Sequence, residues 1–357
     1  MSTPRFRIER WTPASRASMA AAALIVAGLA LGPLVFSDGA IDRLTTLFVY
    51  VMLAVTWNAL AGYAGLVSIG QQVFFGLGAY GAVRLAHAGA PVYLALALAG
   101  VVTGLFAWGL SYPMLRLREG EFAIGMWVVA ELCHLLVNLD TLIQGETGAS
   151  LIALNAHAAG DRHAYTYWAA LGGTVLLLAA LFALLRSRTG AGIQAIRDNE
   201  EAAASIGVEI ARTKRLIFVI AGLGAGLAGA LWLANAITFQ PKTYFSPQWT
   251  AYMIFMALVG GLGAFEGAIL GAVIFFSIEA LFGAAGVWYL IGLGATALAF
   301  ALFLPRGLWG WAEARLGLSL LPVGYRLRIL AAAPRRRSAA PMTSTIEKAG
   351  AQPARHD

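Results

Sequence analysis

Three groups of residues in this 357-residue chain have types and spacings that could do chemistry. Gly76, Gly78 and Gly81 in GLGAYG match the G-x-G-x-x-G of a dinucleotide-binding turn, and GAGLAG at 224–229 matches it again. Glu131 and His134 stand at i and i+3, a spacing that suits a proton relay or a plain hydrogen bond along one helix face. His157 and His163 could bind a metal, but a solvated loop accounts for the pair far better.

Context decides between these readings. A dinucleotide turn needs a strand before the glycines and an acidic residue about 20 positions later. SIGQQVFF precedes the first match inside an apolar stretch, and residues 92–111 contain no Asp or Glu. No Gly-Lys pair occurs, so a P-loop is excluded and any ATP must bind another chain. H-x-x-x-H, H-E-x-x-H and G-x-S-x-G are all missing from the sequence. Cys133 is the single cysteine, which rules out an internal disulfide and a thiolate metal cluster. No catalytic centre, cofactor or metal is expected.

The elements that carry these residues belong in a membrane. Apolar residues make up 59% of the chain and charged residues 12%, against about 25% charged in a soluble domain. Runs long enough to span a bilayer cover 18–36, 43–63, 91–113, 120–139, 165–185 and 216–237, with further runs near 250–265, 267–283 and 288–304. The stretch 64–86 is apolar but broken by glycines, and it either crosses or re-enters. The expected fold is all-α, a polytopic membrane protein of about 8–10 spans, ten if 64–86 crosses. The first run has 19 residues and no A-x-A after it, so a retained helix is expected rather than a cleaved signal.

Charge sets the orientation. With ten spans and the N-terminus inside, 21 of the 25 Lys and Arg residues fall on the inner side, leaving Arg43, Arg84, Arg162 and Lys242 outside. The same bias explains the net charge of +7 without a nucleic-acid partner. The parts are then a cytoplasmic arm (1–17), a membrane domain (18–304) with a charged inner loop (186–215), and a cytoplasmic basic tail (305–357). Composition predicts disorder from about 331, where Arg335, Arg336 and Arg337 are solvated or touch anionic lipid.

Within 62–81, glycines permit close helix contacts or a broken helix. Ser68, Gln71 and Gln72 would share one face of a helix there. A polar face in a broken segment fits a transport path, and it fits bonds to neighbouring helices equally well.

These residues carry a family likeness. Asn58, Gly62, Gly65, Ser68, Gly70, Phe74, Gly76, Gly78, Ala79 and Tyr80 follow N-x-x-x-G-x-x-G-x-x-S-x-G and F-x-G-x-G-A-Y, which resembles the early signature of branched-chain amino acid ABC transporter permeases. Residues 195–231 and the turn LVGGLGAFEGAILGA at 258–272 are similar to later parts of that family, so the likeness runs from about Leu44 to Leu304. Gly120–Ile124 (GEFAI) and Gln144–Gly148 (QGETG) resemble its M-type subunit.

The resemblance implies an inner-membrane importer subunit with both termini cytoplasmic. It implies two ATPase partners, an H-type second permease and a periplasmic substrate-binding protein. Gly65, Ser68, Gly70, Gln71, Gln72, Phe74, Gly76, Gly78 and Tyr80 would then lie at the transport path or in its packing. Arg197, Asp198, Glu200, Glu201, Ala202, Ala203 and Gly207 would meet the ATPases, with Gly207 capping the loop helix. Leucine, isoleucine or valine is the implied cargo. Urea and short amides are carried by close relatives. An ion-coupled transporter is the rival class, and it should show more paired intramembrane charges.

Overall fold

A chain in a bilayer must satisfy its backbone hydrogen bonds internally, and the apolar runs do so as helices. The computed structural model describes residues 5–9, 13–156, 158–316, 321 and 326–330. Helices α1 (Pro13–Ala30), α2 (Gly32–Val35), α3 (Asp38–Asn58), α4 (Gln72–His87) and α5 (Val92–Met114) come first. Then follow α6 (Glu119–Asn138), α7 (Ala159–Arg186), α8 (Arg188–Asp198), α9 (Glu200–Ser205) and α10 (Ile210–Ala236). Last come α11 (Pro241–Tyr244), α12 (Pro247–Gly260), α13 (Phe265–Phe282), α14 (Val287–Phe303) and α15 (Gly307–Leu316).

Seven of these are long and apolar enough to span a membrane, namely α3, α5, α6, α7, α10, α13 and α14. The chain is a multi-pass membrane protein. The sequence led to an expectation of about 8–10 spans; α1, α4 and α12 are further apolar helices beside these seven. α4 and α12, of 16 and 14 residues, are about 24 and 21 Å long, less than the ~30 Å apolar core of a bilayer. Irregular chain makes up the difference.

Strands are few. β1 (Arg5–Glu9), β2 (Ala149–Ser150), β3 (Thr238–Phe239) and β4 (Arg326–Leu330) form two antiparallel pairs, β1 with β4 and β2 with β3. Residues 1–10 and 325–357 group as one compact unit and 11–324 as the other. Arg7 stands opposite Arg328 in the first unit's ladder. The expected disorder from about 331 and the lipid contact of Arg335–Arg337 lie outside the described residues.

The core forms around α10, which packs against α3, α4, α5 and α7. It can sit centrally because small residues fill its faces, with Ala221, Ala225 and Ala228 fully buried. α14 is the opposite case. Only Tyr289 and Leu293 are buried on it, so its apolar surface faces outward.

α7, with 28 residues, separates the 140–164 end of the molecule from the 186–215 end by about 42 Å. The 64–86 segment touches both ends. Gly65 lies beside Arg197, and Arg84 bonds Asp140, so the segment runs from one end to the other. The stretch from β3 to Gly263 runs likewise, from the β2 pairing to the Asn58 side chain.

Candidate functional site

The broken crossing is built by glycine. α3 runs on as a π-helical turn, Ala59–Tyr63, a feature that marks local strain in a helix. Gly65 then takes φ +71°, a conformation that only glycine adopts freely. The next residues form neither helix nor strand, and their burial alternates, with Leu66, Ser68 and Gly70 buried while Val67 and Ile69 are 48% and 44% exposed. At Gly70 a Cβ would fall 2.0 Å from the Met126 carbonyl oxygen, so α6 closes directly on this backbone.

The helix therefore starts at Gln72 and not at Gly65. The expected helical face of Ser68, Gln71 and Gln72 does not form, because Ser68 lies in the irregular stretch before α4, while Gln71 is its N-cap. Trp57 Nε1 donates to the Ser68 carbonyl at 3.0 Å. Ser68 Oγ and both amide atoms of Gln71 are buried without a partner among the described residues. Gln72 N–H donates to Thr250 Oγ1 at 3.1 Å, and that hydroxyl donates to Gln72 Oε1. The first turns of the two short helices α4 and α12 thus meet, each at the end of an irregular half-crossing.

The two G-x-G-x-x-G matches prove to be halves of one helix contact. A Cβ on Gly78 would sit 1.9 Å from the Gly226 carbonyl oxygen, and one on Gly229 1.9 Å from that of Phe75. Gly76 admits the Phe245 ring. Phe74 is buried edge-on against Phe218, with centroids 5.5 Å apart. Tyr80 serves the loop end, where its hydroxyl donates to Asp140 at 2.6 Å beside Arg84, which bonds the same carboxylate at 2.7 Å. Burial works to raise the Asp140 carboxyl. The Tyr80 hydroxyl, the Leu142 N–H and the Arg84 charge outweigh it and hold Asp140 below the usual carboxylate range.

The Glu131–His134 pair belongs to a clamp at this same end. His134 Nδ1 lies 3.3 Å from Glu131, and Nε2 lies 2.9 Å from Glu146. Glu146 also accepts from Asn138 Nδ2 and from the Lys242 N–H, each at 2.8 Å. Burial pushes Glu146 up, but these donors prevail and lower it. The clamp ties α6 and the QGETG turn to α11, and among the described residues no further titratable side chain bonds to it. His163 bonds Asp42 at 2.6 Å. His157 lies outside the described residues, and no group of three metal-ligating side chains occurs among the described ones.

At the other end, the charged loop folds as α8 and α9. Asn199 caps α9 by accepting from the Ala202 N–H at 2.9 Å. Gly207, at φ +86°, closes it. The Gly207 N–H bonds Ala204 O and the Val208 N–H bonds Ala203 O, which is the Schellman pattern. Ala203 is buried, while Glu201, Ala202 and Ile206 are exposed. Glu200 pairs with Lys214 at 2.6 Å.

Arg197 joins this loop to the broken crossing. Its Nη1 donates to the Gly62 carbonyl at 2.9 Å while Nη2 holds Asp198 at 2.9 Å. Asn58 secures the neighbouring turn, accepting from the Gly263 N–H and donating to Ala264 O. The sequence signals did not reveal Thr250 or the Arg197 partner, because each contact spans more than 130 positions. Asn199 could have been read from its place before Glu-Glu-Ala-Ala.

This chain is 28% identical to the high-affinity branched-chain amino acid transport permease protein LivM of Salmonella typhimurium over 313 residues, 80% of this chain and 73% of that protein. It is equally similar to the LivM protein of Escherichia coli, with the same identity and coverage. A looser likeness is to a solved metal-chelate type ABC transporter in an inward-facing conformation, at TM-score 0.43 and 16% identity, covering 85% of this chain and 96% of that one. The family described as the permease component of branched-chain amino acid transport systems matches residues 39–306, well over half of the chain. The chain belongs to that family.

Proposed function

We propose that this chain is one membrane subunit of an ABC importer that moves branched-chain amino acids across the bacterial inner membrane. In this reading both termini and the 186–215 loop are cytoplasmic, and the 140–164 end faces the periplasm. The basic bias of the loops and the pairing of the terminal strands support that orientation.

The observation that carries the reading is the Arg197–Gly62 link between the charged loop and the broken crossing. Two ATPase subunits dock on the exposed Glu201, Ala202 and Ile206 around α9. Ala203 and Gly207 keep that short helix tight. ATP-driven motion of the ATPases displaces α8 and α9. Arg197 passes the displacement to Gly62, and Asn58 passes it on to the turn at 261–264. The irregular stretch 65–70 and the meeting point of α4 and α12 then rearrange.

The irregular stretch also supports the path assignment. Irregular backbone at membrane depth is tolerated only against protein or a wet cavity. The exposed edge at Val67 and Ile69 therefore faces a second, H-type permease across a shared path. Buried Ser68 and Gln71 hold unused polar groups beside it for a polar cargo. A periplasmic binding protein delivers that cargo to the 140–164 end, and lipid covers the outward face of α14.

The test is reconstitution of this chain with its partner permease, its ATPases and its binding protein in proteoliposomes. ATP-dependent leucine uptake is expected. Uptake of urea or short amides with no leucine uptake would reassign the cargo. Uptake by this chain alone, driven by an ion gradient, would overturn the coupling.

A further inference from the structure

Glu279 takes no part in the contacts described so far. It lies on α13 about 21 Å along the axis from Phe265, inside a membrane-length helix. The Tyr50 hydroxyl donates to its Oε2 at 2.7 Å. No Lys, Arg or His pairs with it among the described residues. Glu279 stands in the last turn of α13 and is partly buried, and a partly buried carboxylate with no basic partner favours a bound cation or a proton.

The surroundings favour a particular kind of cation. Tyr252 and Tyr289 lie within Coulombic reach of the Glu279 carboxyl. Tyr289 is only 8% exposed, yet its hydroxyl has no partner among the described residues. The Tyr50 ring stacks on Trp232 at 5.9 Å and meets Phe275 edge-on at 5.0 Å. Tyr252 lies 4.6 Å from Phe275. Aromatic faces beside one carboxylate attract organic ammonium groups. A divalent metal would need several hard oxygen ligands, and the cluster supplies a single carboxylate.

We propose that Glu279, with Tyr50, Tyr252 and Tyr289, is a binding station for a primary ammonium group on the translocation path. Glu279 takes the charge, and the unpaired Tyr289 oxygen accepts one N–H. Extended to cargo, the inference rests on the amino-acid reading above, in which the ammonium belongs to the substrate.

The assay is saturation-transfer NMR on the whole complex in nanodiscs, without binding protein, using methylammonium as the first probe. The wild type is expected to give a signal that Glu279→Gln reduces at least tenfold and Glu279→Asp largely keeps. Tyr289→Phe, which breaks no hydrogen bond, is expected to weaken the signal two- to fivefold. It also serves as the variant that tests the site if Glu279→Gln fails to assemble. No methylammonium signal in the wild type, equal signals in all variants, or full displacement by equimolar sodium would overturn the station. The second probe pair is leucine and 4-methylpentanoate, which lacks only the ammonium. The wild type should prefer leucine at least tenfold, and Glu279→Gln should bring the ratio within threefold. Methylammonium binding without leucine binding would leave the station standing and count against the cargo reading. Unchanged leucine preference in Glu279→Gln would count against the station.

Discussion

Replacing Gly78 by Ala should separate the packing role of GLGAYG from any nucleotide role. The new methyl would sit 1.9 Å from the Gly226 carbonyl oxygen and 2.5 Å from its carbon. Both obstacles are backbone, so no rotamer change relieves them, and α4 and α10 must move apart by more than 1 Å to restore contact distances. Overpacking of this kind costs about 1–3 kcal/mol, offset by up to about 1 kcal/mol of helix propensity. Gly81 is the internal control. Its Cβ would find Ala99 at 3.5 Å, an ordinary contact, so Gly81→Ala should gain close to the full propensity term. Because the propensity gain is common to both, the two variants should then differ by the overpacking cost, about 1–3 kcal/mol. At about 2–4 °C per kcal/mol, that is a gap of roughly 2–12 °C in unfolding temperature, measured by tryptophan fluorescence in one detergent. Equal destabilisation at both sites, or none at Gly78, would refute the reasoning. In a phosphate-binding turn each glycine of the motif has its own requirement, and no such split is expected.

Three further outcomes follow from the same geometry. Gly207→Val should lower uptake far more than thermal stability, because φ +86° costs a β-branched residue about 1–2 kcal/mol locally while nothing lies within 4 Å of its Cβ; equal uptake by variant and wild type would count against the cap. The Asp140 carboxyl is depressed in the folded protein, so its stabilising effect is complete above the unfolded value near 3.9 and is lost as pH falls through the folded value. The difference in unfolding temperature between wild type and Asp140→Asn should therefore hold steady from pH 8 to 6 and shrink below about pH 4. In a Cys133→Ala background, cysteines at the exposed Ser150 and Ser205 should react with an impermeant thiol reagent from opposite sides of the membrane, and reaction of both from one side would refute the topology.

The sequence made local features legible. Apolar run lengths located the helices, and the glycine spacing at 62–78 located the break. Glu200 to Gly207 held its own capping information, because a Schellman end is decided within six residues. What stayed hidden was long-range. Nothing near Gln72 points to Thr250, and nothing near Tyr50 points to Glu279, 229 positions away. The Ser68, Gln71 and Gln72 face was drawn on a helix because helical spacing is the default in an apolar run. Between Gly65 and Gly70 an irregular stretch replaces that helix, held by packing against α6. The Glu131–His134 spacing was legible, but its meaning came from Glu146, which the QGETG turn delivers from outside the helix.

The central claim is that the charged loop drives the broken crossing through Arg197. A charge-assisted hydrogen bond such as Arg197 to Gly62 O is worth about 1.5–3 kcal/mol. Lysine cannot reproduce a fork that grips Asp198 as well. The direct test is the number of leucine molecules imported per ATP hydrolysed, measured in proteoliposomes for wild type, Arg197→Lys and Arg197→Ala. The account predicts that binding-protein-stimulated ATP hydrolysis persists in Arg197→Ala while uptake per ATP falls at least tenfold, with Arg197→Lys between. Uptake per ATP equal to wild type in Arg197→Ala would contradict it.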